Sequence, residues 1–222
     1  MAENELQSYK DRLRKGMLRY MRQAFLMLPE IRSPRILDIG CGSGVPTIEL
    51  ARLSGGTITA IDIDHPALDR LKDKIKKEGM AGRIKVESRS MLDMDFPEAI
   101  FDIIWSEGSI FAVGFEKGLR DWRRFLKTGG FVVVHDEKGD VEEKQKQISR
   151  CGYDLIDCFI LSEDIWWNEY FLPLNKKLQE LRAIGTCNAD TAREMENDQR
   201  EIDGFKENIE RNRSVYLIMR KA

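Results

Sequence analysis

The chain has 222 residues, 42% of them hydrophobic and 33% charged, with a formal net charge of −2. That length supports one sizeable core, one domain with an elaboration, and so balanced a charge supplies no global attraction to nucleic acid. The N-terminus is too polar for a secretory leader, and no apolar run approaches the roughly 20 residues of a membrane helix, so a soluble, cytoplasmic protein is expected.

Apolar residues recur at helical spacing from about Glu5 to Leu28, and Pro29 ends that helix. Its basic cluster (Lys10, Arg12, Arg14, Lys15, Arg19, Arg22, against Asp11) reads as a solvated face. Arg35–Ile39 is an apolar run stopped by glycines, hence a strand. A helix follows over Thr47–Leu53, then a β-branched strand, Thr57–Ile61. Pro66–Lys77 is a helix ended by Gly79, Arg83–Glu87 a third strand, and Phe101–Trp105 a fourth, stopped by Ser106-Glu107-Gly108. Lys117–Leu126 is a helix and Phe131–Val134 a fifth strand. Beyond it come a helix over Val141–Ser149, a strand over Tyr153–Leu161, and the aromatic stretch Trp166-Trp167-Asn168-Glu169-Tyr170-Phe171. Two polar helices, Leu174–Ile184 and Thr191–Arg211, precede a last strand, Ser214–Met219. No repeat or low-complexity segment appears. Cys41, Cys151, Cys158 and Cys187 lack metal or redox spacing and read as free thiols of a reducing cytoplasm.

Alternating strands and helices imply βαβ units around a parallel sheet covered on both faces. The late return of Ser214–Met219 toward Tyr153–Leu161 implies an antiparallel edge pair. In open sheets of this kind ligands bind beyond the carboxyl ends of the strands. Glu107 and His135 both stand at that edge.

The strongest motif is Asp38-Ile39-Gly40-Cys41-Gly42-Ser43-Gly44 between a strand and a helix. Glycines admit a ligand close to the backbone, and the next helix offers its N-terminal N–H groups. The second strand ends in Ile61-Asp62-Ile63-Asp64, where a carboxylate can accept both hydroxyls of a ribose. A dinucleotide fingerprint needs glycine where Val45 stands. Asp38 would repel a pyrophosphate but suits an ammonium group, so S-adenosylmethionine is favoured over a nicotinamide dinucleotide.

From Arg35 to about Glu137 the chain resembles class I S-adenosylmethionine-dependent methyltransferases. LDIGCGSG matches their first motif, AIDID the second, and FDIIWSEGSIF and LKTGGFVVV the later strands. The nearest group is the small-molecule methyltransferases related to ubiquinone biosynthesis. WSEGSIFAVGFEKGL with FILSEDIWWNEYF resembles a bacterial and archaeal subgroup. The resemblance implies a Rossmann-like, doubly wound, mostly parallel seven-stranded sheet with an antiparallel C-terminal edge strand, helices on both faces, and extra N- and C-terminal helices. It implies one methyltransferase domain: a cap over 1–30, a sheet core over 35–161 and 214–222, and a helical insertion over 162–213. Gly40, Cys41, Gly42 and Gly44 would shape the methionine pocket, Asp38 would face its amino end, and Asp62 would hold the ribose. Ile63, Ser90 and Met91 would lie by the adenine, with serine where many relatives have aspartate. The Ser106 backbone would lie near the methionine moiety.

Glu107 has three readings: ligand for the cofactor's ammonium, acceptor-side ligand or general base, or cap of the next helix. His135 is either a proton carrier or satisfied by its neighbours. Asp136 and Glu137 line the mouth or cap a loop, and His65 is a surface residue. Trp166, Trp167 and Tyr170 form a substrate lid or simply core. Chain pattern and resemblance together lead to methyl transfer from S-adenosylmethionine to a small molecule, with no metal. The rivals are an RNA or protein methyltransferase and a non-catalytic cofactor-binding relative. No Asp/Asn-Pro-Pro-Tyr motif follows the fourth strand, which disfavours nucleic acid. A homodimer packed through the charged helices is one arrangement the sequence permits.

Overall fold

The computed structural model describes residues 2–185, 188–207 and 212–222. Cys187 and the last residues of the expected Thr191–Arg211 helix lie outside them. Seven strands form one sheet: β1 (Arg35–Ile39), β2 (Thr57–Asp62), β3 (Ile84–Ser88), β4 (Phe101–Glu107), β5 (Leu126–Glu137), β6 (Tyr153–Leu161) and β7 (Ser214–Lys221). Their order is β3-β2-β1-β4-β5-β7-β6. The first five run parallel, and β7 is antiparallel to both neighbours. The C-terminal strand is thus antiparallel but not outermost. It is inserted between β5 and β6, and its run Val215–Met219 is fully buried.

Among the described residues eight α-helices surround the sheet: α1 (Ala2–Leu26), α2 (Val45–Ser54), α3 (His65–Lys77), α4 (Phe115–Trp122), α5 (Val141–Arg150), α6 (Glu163–Trp166), α7 (Leu172–Ile184) and α8 (Ala189–Glu207). Alternation of side chains along each strand divides the core. Ile36, Ile103, Trp105, Val133 and Ile218 face one side, against Leu18 and Met21 of α1, Leu50 of α2 and Leu71 of α3. Leu37, Ile104, Val132 and Leu217 face the other, against Leu119 and Trp122 of α4 and Ile148 of α5. Each such side chain, fully buried, contributes about 1.5–3 kcal/mol. A third cluster joins Leu6 of α1 to Phe171, Leu174, Leu178, Met195 and Phe205 of the C-terminal helices. Among the described residues no helix is long and apolar enough to cross a membrane.

Among the strands that outrun their expected ends, β4 and β5 border the candidate site. β4 continues past Trp105 to Glu107, because Glu107 still pairs with His135 of β5. β5 runs on to Glu137 because β7 pairs with it as far as Ser214. An isolated strand would stop where its apolar run stops. Here pairing with a neighbouring strand holds Ser106, Glu107 and Asp136 in the ladder, and His135 is paired on both sides.

The basic face of α1 is largely exposed, as expected, but three of its cations also meet carboxylates. Lys10 pairs with Asp198 at 2.6 Å and Glu194 at 3.2 Å, Arg19 with Glu169, and Arg22 with Glu49 at 2.6 Å. Helical spacing locates the charges on one face; it does not disclose the carboxylates, 27 to 188 residues away, that meet them.

Candidate functional site

The strand order reverses between β1 and β4, the topological switch point where ligands bind in such sheets. The glycine loop lies there, between β1 and α2. Its first and last glycines answer to packing. A Cβ on Gly40 would lie 2.4 Å from Ser109 Cβ, and one on Gly44 2.1 Å from Leu71 Cδ1. Gly42, at φ +51°, would meet nothing within 4 Å. Close approach of a ligand is therefore available at Gly42, and the other two close the loop against β4 and α3. Pro46 then starts α2, where its missing N–H costs nothing.

Asp62 ends β2 and binds the loop to it. Its carboxylate accepts from the N–H groups of Gly42 at 2.8 Å, Ile63 at 2.7 Å and Asp64 at 3.0 Å. Asp64 caps α3 through Ala67 N–H at 3.0 Å. Ile63 is 69% exposed beside it, an open apolar surface. Cys41 is buried within the loop. Met91 approaches Gly40, its Cε 3.6 Å from where a Cβ would be. Ser90 Oγ accepts from Leu92 N–H at 3.1 Å and shapes a turn. Ser106 is fully buried, its hydroxyl 2.7 Å from that of Ser109, which donates to Ile39 O at 2.8 Å. β4 is thereby fastened to the loop.

Asp38 is buried beneath the loop and accepts from Thr47 Oγ1 at 2.6 Å. Burial pushes its carboxyl up to about 7; the Thr47 bond opposes this, and the charges of Glu107 and Asp62 add to it. Glu107 is likewise pushed up to about 7 by burial, against hydrogen bonds from Trp105 and Tyr216 and the charge of Arg14. Trp105 Nε1 donates to Glu107 Oε1 at 2.7 Å. Two carboxylates that resist ionisation thus stand at adjacent strand ends.

Beyond Glu107 opens a cavity of about 430 Å³ between α1, the ends of β4, β5 and β7, and the C-terminal helices. Register builds its floor. Glu107 pairs with His135, His135 with Tyr216 and Tyr216 with Phe159, so the four form one row across the sheet. The rings stack at 4.2 Å for His135 on Tyr216 and 5.0 Å for Tyr216 on Phe159. Trp166 lies parallel to His135 at 5.6 Å. His135 Nε2 and Trp166 Nε1 both meet Ser214 Oγ, at 2.8 and 2.7 Å. Burial, then the Arg14 charge, pushes His135 down to about 3, so its ring is neutral at ordinary pH.

The expected site residues fall into two groups. Asp38, the loop, Asp62, Ile63, Ser90, Met91 and Ser106 surround the switch point and do not line the cavity. Glu107, His135, Trp166 and Tyr170 line it. Trp167 does not: the turn of π-helix over Trp167–Phe171 directs its ring onto Phe205, 6.0 Å away and nearly parallel. Tyr216, Ser214 and Arg14 also line the cavity and were not anticipated. Tyr216 and Ser214 lie some 80 residues from His135, on an apolar strand whose sequence shows no register. Arg14 is hidden in a basic run. Among the described residues no three His, Cys, Asp or Glu side chains gather as a metal site.

Residues 36–130 match the family model described as a methyltransferase domain. A curated relative, 27-O-demethylrifamycin SV methyltransferase of Amycolatopsis mediterranei, is 31% identical over 111 residues, 50% of this chain and 41% of that one. Through residues 36–130 the chain is thus similar to methyltransferase domains. The matched stretch ends before His135, so it covers the switch point and Glu107 but not β7 or the cap helices. Matched stretches cover 41%, 37% and 27% of the length of three curated relatives, less than half of each. Solved structures share the fold over nearly the whole chain. The [4+2]-cyclase SpnF superposes with TM-score 0.71 at 20% identity, over 90% of this chain and 80% of that one. A geranyl diphosphate C-methyltransferase of Streptomyces coelicolor, in complex with Mg2+, geranyl diphosphate and S-adenosyl-L-homocysteine, gives 0.63 at 15%, over 91% and 81%.

Proposed function

We propose that the protein transfers a methyl group from S-adenosylmethionine to a small-molecule acceptor held in the cavity beside Glu107. The fold alone does not decide this, since a cyclase shares it. The observation that carries the reading is the set of carboxylates around the glycine loop. Asp38, Asp62 and Glu107 converge there, and Asp38 feels both others. A polyphosphate would be repelled; a ligand bringing an ammonium and a sulfonium relieves the repulsion. The open Gly42, the Asp62 carboxylate at the end of β2 and the exposed Ile63 fit the methionine, ribose and adenine parts in turn.

S-adenosylmethionine supplies an electrophilic methyl and a neutral thioether leaving group: the acceptor's lone pair forms the new bond to carbon as the carbon–sulfur bond breaks. The protein's part is position. Asp62 and the loop hold the cofactor end, Asp38 its amino group, and the cavity aligns the acceptor. Glu107 faces both and takes the acceptor's proton. Its pKa near 7 suits a base at neutral pH, and Trp105 and Tyr216 fix its carboxylate. His135 keeps its ring neutral and forms floor rather than base.

An RNA acceptor has less support, because Lys10, Arg19 and Arg22 are each paired within the chain. The proposed setting is the reducing cytoplasm, in keeping with the free thiols of Cys41, Cys151 and Cys158. Calorimetric titration with S-adenosylmethionine and S-adenosylhomocysteine tests the reading. Binding by wild type, weakened at least about tenfold in Asp62→Ala through loss of its hydrogen-bonding carboxylate, supports it. A folded wild type that binds neither sinks it.

A further inference from the structure

We infer that Arg14 is an anion-binding residue of the cavity and that the acceptor is a small acid, its carboxylate on Arg14 and its nucleophilic atom beside Glu107. The second half rests on the methyl-transfer reading; the anion subsite does not.

Arg14 is the cation of α1 that lines the cavity, and it differs there from its paired neighbours. Lys10, Arg19 and Arg22 each hold a carboxylate. Arg14 forms no ion pair among the described residues; Tyr170 is the first influence on it and hydrogen-bonds it, and Glu201 and Glu107 act on it through charge alone. Its guanidinium lies over the Tyr170 ring, 5.8 Å from the centroid. The cavity's other guanidinium, Arg213, is gripped by both oxygens of Glu163, at 2.7 and 3.0 Å. Arg14 is thus a permanent, exposed charge facing a half-open, partly apolar space without an ion-paired carboxylate of its own chain. A ligand carboxylate supplies a partner, and the planar fork of arginine matches it with two parallel hydrogen bonds.

The rest of the wall describes the rest of the molecule. Met17, Leu18 and Met21 of α1 face Trp166, Phe171 and Phe205 of the C-terminal helices. This is a slot for an apolar body. Glu107 stands on the strand side and Tyr170, beside Arg14, on the cap side. The acid group would bind toward the cap, leaving the reacting atom toward the strand ends. The cofactor's own carboxylate is the other source of such an anion. The loop residues and Asp62 lie outside the cavity wall, whereas Arg14 keeps company with Tyr170 and Glu201, which places the anion on the acceptor's side.

The test uses the full chain and three pairs of probes: phenylacetate, benzoate and hexanoate, each against its primary amide. Binding is followed by quenching of tryptophan fluorescence, with and without saturating S-adenosylhomocysteine, for wild type, Arg14→Gln and Arg14→Lys. Circular dichroism checks that the variants fold. In wild type the acids are expected to bind about tenfold or more tightly than the amides, the margin of a charge-assisted pair. Arg14→Gln abolishes that preference and Arg14→Lys retains part of it. S-adenosylhomocysteine affinity stays the same in all three. Acids binding no better than amides, or a preference that survives Arg14→Gln, overturns the proposal. So does an Arg14→Gln variant that loses S-adenosylhomocysteine and keeps its preference for acids, since the anion is then the cofactor's. Failure of folded wild type to bind S-adenosylhomocysteine is a separate result. It removes the methyl-transfer reading and leaves the acid-to-amide comparison to judge Arg14.

Discussion

Glu107 is the residue on which the proposed chemistry turns, and its neighbours define what it can do. Burial keeps it from ionising easily, while Trp105 and Tyr216 donate to it and the charge of Arg14 favours its ionised form. If it takes the acceptor's proton, Glu107→Gln should lower kcat by about 10²–10⁴-fold, the usual worth of a positioned base. Cofactor KM should change little. The wild-type kcat should rise with pH through about 7 and level off, a limb that Glu107→Gln lacks; a limb that persists assigns it to another group. Asp38 supplies a stability signal of definite sign. Its folded pKa is raised, so between about 4 and 7 the folded state keeps a proton that the unfolded chain has released. Its contribution to stability is present at acid pH and lost as pH rises through about 7. Relative to wild type, Asp38→Asn should therefore gain stability between pH 5 and 7.5 in urea unfolding. His135 has the opposite sign: its folded pKa is depressed, and its contribution is lost as pH falls from 6.5 toward 3. The row Glu107–His135–Tyr216 was only half visible in the sequence. Both strand-end residues could be placed at the ligand edge from chain order, but Tyr216 enters by a β5–β7 register that no local pattern encodes.

The glycine loop shows how an element combines packing with access. Its motif and its place between strand and helix could be read directly, because short-range backbone geometry carries them. The division of labour among its glycines could not, because it depends on Ser109 and Leu71, which arrive from other elements. Gly44→Ala places a methyl 2.1 Å from Leu71 Cδ1 at φ +76°. It should cost about 2–4 kcal/mol of stability through overpacking and strain together. Gly42→Ala meets no atom and should cost roughly 1 kcal/mol from its positive φ alone, while weakening S-adenosylhomocysteine binding by intruding where the cofactor approaches. Urea unfolding and calorimetry on the two variants separate these outcomes. Equal effects on stability would remove the distinction. The turn at Trp167–Phe171 follows the same logic. The aromatic cluster announces itself in the sequence, yet only the π-helical turn decides that Trp166 and Tyr170 face the cavity and Trp167 packs on Phe205.

α1 connects what the sheet and the C-terminal helices would otherwise keep apart. Its N-terminal half contributes Leu6 to the cap core, and its C-terminal half contributes Leu18, Met21 and Ala24 to the sheet core. Asp11 reaches the glycine loop through Ser43 at 2.7 Å and α3 through Lys74 at 2.5 Å. The parallel sheet was foreseeable, since strand–helix alternation and continuous apolar runs dictate it. The role of α1 was not, since every tie it makes is long-range. The strongest is Lys10 between Asp198 and Glu194, where Asp198 is buried and its Oδ2 has no partner among the described residues. Lys10→Met keeps the apolar stem and removes the charge. It leaves two carboxylates uncompensated and should destabilise the attachment of α8 by about 3 kcal/mol. If the cap is a cooperative unit of its own, the loss is local. Hydrogen exchange should then quicken in α7 and α8, while amides of β1, β4 and β5 keep their protection. Uniform acceleration through the sheet would instead make cap and core one unit, and any opening of the cavity would then require unfolding of the whole.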